Sequence, residues 1–170
     1  MKKTAGLAAA LVSVLALTGC GASGAQAPTR NIKQVTDGVE GQSGSVYIRD
    51  FLLVAQPDGS AAIVGTFINE EATTDALTGI TVGGIPATLS SASSSFDLAQ
   101  NTPLIFAGDS ANATGYVPGL NAAAGDRVDA VFTFSNSKSV TLSALVRAKS
   151  DYFTGVGGKP AQTPSPTATK

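Results

Sequence analysis

Histidine and tryptophan are absent from the 170 residues, methionine occurs only as Met1 and cysteine only as Cys20. Each absence closes a class of chemistry. Without histidine there is no Ser-His-Asp or Cys-His unit and no imidazole to act as a base near neutral pH. Zinc sites built on Cys and His, and Cu(I) sites built on Met, Cys or His, are excluded by the same count. One cysteine cannot form an internal disulfide. Only hard oxygen ligands remain. Charge of one sign is also scarce, with 11 basic against 12 acidic side chains and a net charge of −1. No basic stripe is available to release counterions from a polyanion, which argues against nucleic acid as a partner.

What is present begins at the N-terminus. Lys2 and Lys3 precede an apolar stretch, residues 7–17. That stretch is too short to span a bilayer, which takes roughly 20 residues, and it has the pattern of a signal peptide. Leu17-Thr18-Gly19-Cys20 follows and resembles the bacterial lipobox. The small residues let a peptidase approach the backbone, and the thiol is the nucleophile that receives a diacylglyceryl group. Cys20 is the expected lipidation site. Stable anchoring needs two acyl chains, at about 0.8 kcal/mol per buried methylene, and the lipobox route supplies at least two. Cleavage before Cys20 removes Lys2 and Lys3, leaving 9 basic against 12 acidic side chains and a net charge of −3. The expected location is the outer face of the cytoplasmic membrane, reached by the general export route.

The chain divides by composition into a signal peptide at 1–19, a lipidated Cys20 with a flexible tether at 20–43, a folded domain at 44–158 and a Pro/Thr-rich tail at 159–170. Residues 21–30 are small and polar without periodicity, as a tether is, while 31–43 are ambiguous. A coil from Cys20 to Gly44 reaches about 27 Å. The tail cannot bury apolar area and is expected to be disordered.

The length suits one domain, and its pattern is that of strands. Val128, Ala130, Phe132 and Phe134 alternate with Arg127, Asp129, Val131 and Thr133, and Val140, Leu142, Ala144 and Val146 repeat the period. If Asn136-Ser137-Lys138 is a three-residue hairpin loop, Phe134 pairs with Val140 and Phe132 with Leu142, and Asp129 comes within reach of Arg147. Residues 61–68 are apolar on both alternating sets, as in a central strand covered on two faces. Gly83-Gly84 suits a tight turn with positive φ. Shorter runs lie at 96–98, 104–106 and 115–117, and residues 121–124 have the composition for one helical turn. In residues 45–55 strict alternation from Val46 and Ile48 would bury Asp50. A bulge at Arg49-Asp50 lets Val46, Ile48, Phe51 and Leu53 share a face without an unpaired buried carboxylate. The predicted class is all-β, an immunoglobulin/cupredoxin-like β-sandwich of about 7–9 antiparallel strands, with a closed barrel as the alternative.

The densest group of oxygen ligands is Asn69-Glu70-Glu71-Ala72-Thr73-Thr74-Asp75, a candidate for a weak Ca²⁺ site or a solvated turn. It lacks the spacing of a calcium loop. No catalytic set, cofactor site or metal set is assigned. Carboxylate-pair glycosidase chemistry needs only two acids, but three tyrosines and no tryptophan leave few sugar platforms.

The lipobox Cys20, the strand Val46-Tyr47-Ile48-Arg49-Asp50, the segment Ala62-Ile63-Val64-Gly65-Thr66-Phe67-Ile68-Asn69-Glu70 and Asp75-Ala76-Leu77-Thr78-Gly79-Ile80 resemble the LpqE-like lipoproteins of actinobacteria, which are related to copper chaperones of the PCu(A)C type. The resemblance covers roughly residues 44–148. It implies an exported, lipid-anchored β-sandwich. The copper chaperones hold Cu(I) with His and Met, and the mature chain has neither, so no ligand carries over. The expected function is a non-catalytic, lipid-anchored binding or envelope-organising module that meets a protein or wall component through loops or an exposed sheet edge. The alternative is a copper-homeostasis protein using oxygen ligands or a partner's ligands.

Overall fold

The computed structural model describes residues 37–157. The signal peptide, Cys20, most of the tether and the tail at 159–170 lie outside the described residues. Eleven strands are present among the described residues: β1 (Val39–Ser43), β2 (Val46–Ala55), β3 (Ala61–Asn69), β4 (Asp75–Val82), β5 (Ile85–Pro86), β6 (Thr88–Ser91), β7 (Asp97–Leu98), β8 (Leu104–Phe106), β9 (Ala113–Val117), β10 (Arg127–Phe134) and β11 (Val140–Arg147). A 3₁₀ turn, Asp151–Phe153, follows. The all-β sandwich expectation holds, with more and shorter strands than expected. Residues 121–124 form no helical turn.

The hydrogen-bonded order is β5-β4-β10-β11-β2-β3-β8-β9-β6, with β1 on β2 and β7 on β4. Two layers result, β5-β4-β10-β11 and β2-β3-β8-β9-β6. They join where Val146 and Arg147 of β11 meet Leu53 and Val54 of β2 in parallel. Phe106 of β8 and Ala113 of β9 also pair in parallel, so the sandwich is not wholly antiparallel. The two ends of the path, β5 and β6, are separated in sequence only by Ala87. The chain itself therefore closes the far side, and the structure stands between a sandwich and the barrel alternative.

The core lies between the layers. Phe51, Phe67, Phe106 and Phe132 are fully buried there. Phe132 meets Phe51 edge-on at 4.7 Å between ring centroids and Phe67 at 5.6 Å, joining the two layers through ring contacts. The β2 bulge is as expected. Pairing with β3 shifts by one residue between Arg49 and Leu52, so Val46, Ile48, Phe51 and Leu53 all enter the core. Asp50 takes φ 51°, stays exposed and accepts the Gly38 N–H at 2.9 Å. Gly83 and Gly84, at φ 56° and 81°, form the two-residue turn between β4 and β5.

Two expectations are corrected. First, β1 falls inside the stretch assigned to the tether. It pairs with β2, and a Cβ at Gly41 would come within 2.7 Å of the end of the Leu142 side chain, so a larger residue there would have to displace that side chain.

Second, the β10–β11 register is displaced by two residues. Phe132 pairs with Val140, Ala130 with Leu142 and Val128 with Ala144, which keeps the same faces buried but enlarges the turn. The cause is β4. Thr133 and Phe134 stay paired with Gly79 and Leu77, and the Ser135 N–H reaches the Ala76 carbonyl at 3.0 Å. The chain cannot turn until residue 136. Asp129 consequently faces Ser143, and Arg147 pairs instead with Asp37 at 3.5 Å.

Residues 61–68 are covered on two faces, though unequally. Ile63 and Phe67 are in the core, whereas Val64 and Ile68 are half-buried on the outer face. There Leu52, Val54 and Ala62 form a second cluster under Phe153 and Val156. The segment after β11 thus folds back as a strap.

Candidate functional site

Glu71, Thr73, Thr74 and Asp75 form one wall of an open cleft of about 680 Å³ at the end of the sandwich where β2 begins. Gln42, Ser43 and Ser45 face them, and the β10–β11 turn, Asn136, Ser137 and Lys138, completes the lining.

Asn69 and Asp75 are the anchors of this end. Asn69 is fully buried. Its Nδ2 donates to the carbonyls of Thr73 at 2.7 Å and Leu98 at 2.9 Å, while its Oδ1 accepts from the Ser45 hydroxyl at 2.8 Å and the Glu71 N–H at 3.0 Å. Two donors and two acceptor positions are all in use.

Asp75 is 4% exposed. Oδ1 accepts the N–H groups of Ala76 at 2.7 Å and Asn136 at 2.8 Å, and Oδ2 accepts that of Ser137 at 2.9 Å. Burial pushes its pKa up, but the Ser137 hydroxyl and the N–H groups of Asn136, Ala76 and Ser137 outweigh burial and hold it below the ordinary value. The Ser43 hydroxyl donates to the Lys138 carbonyl on the same turn.

This oxygen-rich segment is therefore chiefly an internal scaffold. Glu70 and Glu71 are exposed, and no three His, Cys, Asp or Glu side chains converge on a metal position among the described residues. What the cleft presents to solvent is a set of hydroxyls and amides with the exposed Lys138 at the rim. Such a surface, which also carries the exposed Glu71, donates and accepts hydrogen bonds. Sequence reasoning singled out the Asn69–Asp75 acids. It missed that Asp75 serves a turn about 60 residues away, because that contact is made only by tertiary pairing of β4 with β10.

The opposite end has a second cleft of about 520 Å³, lined by Asp37, Ala124, Gly125, Arg147, Tyr152 and Phe153 among others. Val140 of β11 lines the first cleft and Arg147 the second, so roughly 23 Å of strand separates them. Arg147 reaches both the approach to β1 and the strap after β11, pairing with Asp37 at 3.5 Å and lying 5.9 Å over the Phe153 ring. Cys20 lies outside the described residues.

No family model matches the sequence, and no curated protein matches it. Solved structures do. The copper-bound PCuAC domain from PmoF2 superposes with a TM-score of 0.56 at 17% identity, covering 65% of this chain and 98% of that one. The apo PCuAC domain from PmoF1 gives 0.56 at 18%, covering 65% and 99%. The apo PmoF2 PCuAC domain gives 0.55 at 15%, covering 65% and 95%. The class that the fold defines is therefore the cupredoxin-like β-sandwich of PCuAC domains. The donors do not follow the fold. Residues 37–157 contain no His, Met or Cys, and oxygen donors match a soft ion such as Cu(I) poorly.

Proposed function

We propose that this protein is a lipid-anchored, non-catalytic binding module on the outer face of the cytoplasmic membrane that serves copper handling through a partner's ligands rather than its own. The observation that carries this reading is the pairing of a PCuAC-type sandwich with a domain that lacks every soft donor. The scaffold of a copper domain is kept while recognition falls to loops and clefts.

Two measurements test it. Full-length protein, titrated with Cu(I) against a moderate chelator, is expected to take up no stoichiometric copper, and a complex that survives the competition would overturn the reliance on a partner. In cells, loss of the protein is expected to alter copper tolerance, and crosslinking to recover a copper-carrying protein. Cys20→Ala is expected to release the protein from the membrane without unfolding it.

A second reading is favoured by the hydroxyl- and amide-lined cleft around Ser43, Thr73, Thr74 and Asn136, which suits a wall polysaccharide or a peptide. Unchanged copper tolerance together with crosslinks to wall material would select it.

A further inference from the structure

Tyr152 is 98% exposed, a large ring standing in solvent. It is held there. Its neighbour Phe153 packs on the Leu52, Val54 and Ala62 cluster. The turn is tied by the Phe153 N–H to the Ser150 carbonyl at 2.9 Å and by the Thr154 hydroxyl to the Asp151 carbonyl at 2.7 Å. With Phe153 directed inward, the turn presents Tyr152 outward. Asp37, where the described chain begins, lines the same cleft. The chain that leads back to Cys20 thus arrives at the end that displays the ring.

We propose that this end faces the membrane, with Tyr152 seated in the headgroup layer of the bilayer that holds the anchor. The proposal rests on the reading of Cys20 as the acylated residue. The chain from Cys20 to Asp37 spans at most about 60 Å and enters the domain at the end with Tyr152, so the pull of the anchor is applied at that end. A tyrosine ring with its hydroxyl matches the interfacial region, where one side is apolar and the other wet. One ring would be too weak to recruit a soluble protein, but a tethered domain has a high effective concentration at the surface and needs only to be oriented.

Charge does not drive the contact. Arg147 is paired with Asp37, Lys149 donates to the Gln56 side chain at 2.9 Å, and Asp151 adds an acid. Docking should therefore be insensitive to salt. In this orientation the Asn69–Asp75 cleft points away from the bilayer, towards partners.

Because the chain has no tryptophan, Tyr152→Trp creates a single emitter. Tyr47→Trp, near the opposite end of β2, is the control. Each acylated full-length variant is reconstituted in phosphatidylcholine vesicles with and without brominated acyl chains. For Tyr152→Trp the emission is expected to shift to shorter wavelength and lose about half its intensity to bromine, against about a tenth for Tyr47→Trp, with no change on raising salt. Flotation with the vesicles reports the anchor separately. Floating protein whose Tyr152→Trp emission is quenched no more than the control would overturn the docking and leave the anchor standing. Protein that fails to float would overturn both. Quenching that appears only with anionic lipid at low salt would replace ring insertion by charge attraction and overturn the proposal as stated.

Discussion

The two ends of the sandwich hold their polar groups in different ways. At the cleft end, Asn69 and Asp75 are buried and bonded several times over. At the strap end, Arg147 and Asp37 meet once, at 3.5 Å and largely in solvent. A buried carboxylate that loses its partners is costly, whereas an exposed ion pair contributes little. The first end is thus built by its polar groups and the second only decorated by them.

Substitutions can break this comparison, with the core as yardstick. Phe132→Ala, which removes the ring shared by both layers, is expected to cost about 3 to 5 kcal/mol in chemical denaturation. Thr133→Ala, on the opposite face of β10, is expected to cost about 1 kcal/mol or less. Comparable losses would mean that the buried face of β10 is misassigned. Asp75→Ala leaves the Asn136 and Ser137 N–H groups without their carboxylate and is expected to cost about 2 to 4 kcal/mol.

The same aspartate has a pH signature. Its pKa in the folded protein lies below the unfolded value of about 3.9. Its contribution is therefore complete above that value and is lost as pH falls through the lower, folded pKa. Unfolding followed by urea from pH 6 to pH 2 should show part of this acid loss disappear in Asp75→Asn. An unchanged slope would remove Asp75 from the account.

The smallest effect is expected at the strap end. Asp37→Ala should change stability by less than about 1 kcal/mol, and less still at high salt. A loss comparable to that of Asp75→Ala would erase the difference between the ends.

Much of this was legible in the sequence where one local rule decided the outcome. The Asp50 bulge followed from the cost of burying a carboxylate, the Gly83-Gly84 turn from positive φ, and the buried face of β10 from alternation. What stayed hidden depended on contacts distant in sequence. β1 has no apolar alternation and is a strand because β2 offers it an edge. The β10–β11 register was displaced because β4 holds Thr133 to Ser135 and Asp75 takes the next two N–H groups. The strap bears two apolar anchors, Phe153 and Val156, too few for a periodic signal. In the candidate site, the residue types were visible, but which of them faced inward was not.

The closure of the sheet by residues 85–91 bears on self-association. An open strand at either end of the path would invite swapping or fibre growth. Here the terminal strands of the path are two and four residues long, one of them containing Pro86, and they are covalently continuous with each other. A sheet closed this way offers neither terminal strand of its path as a long template for strand addition by a second copy.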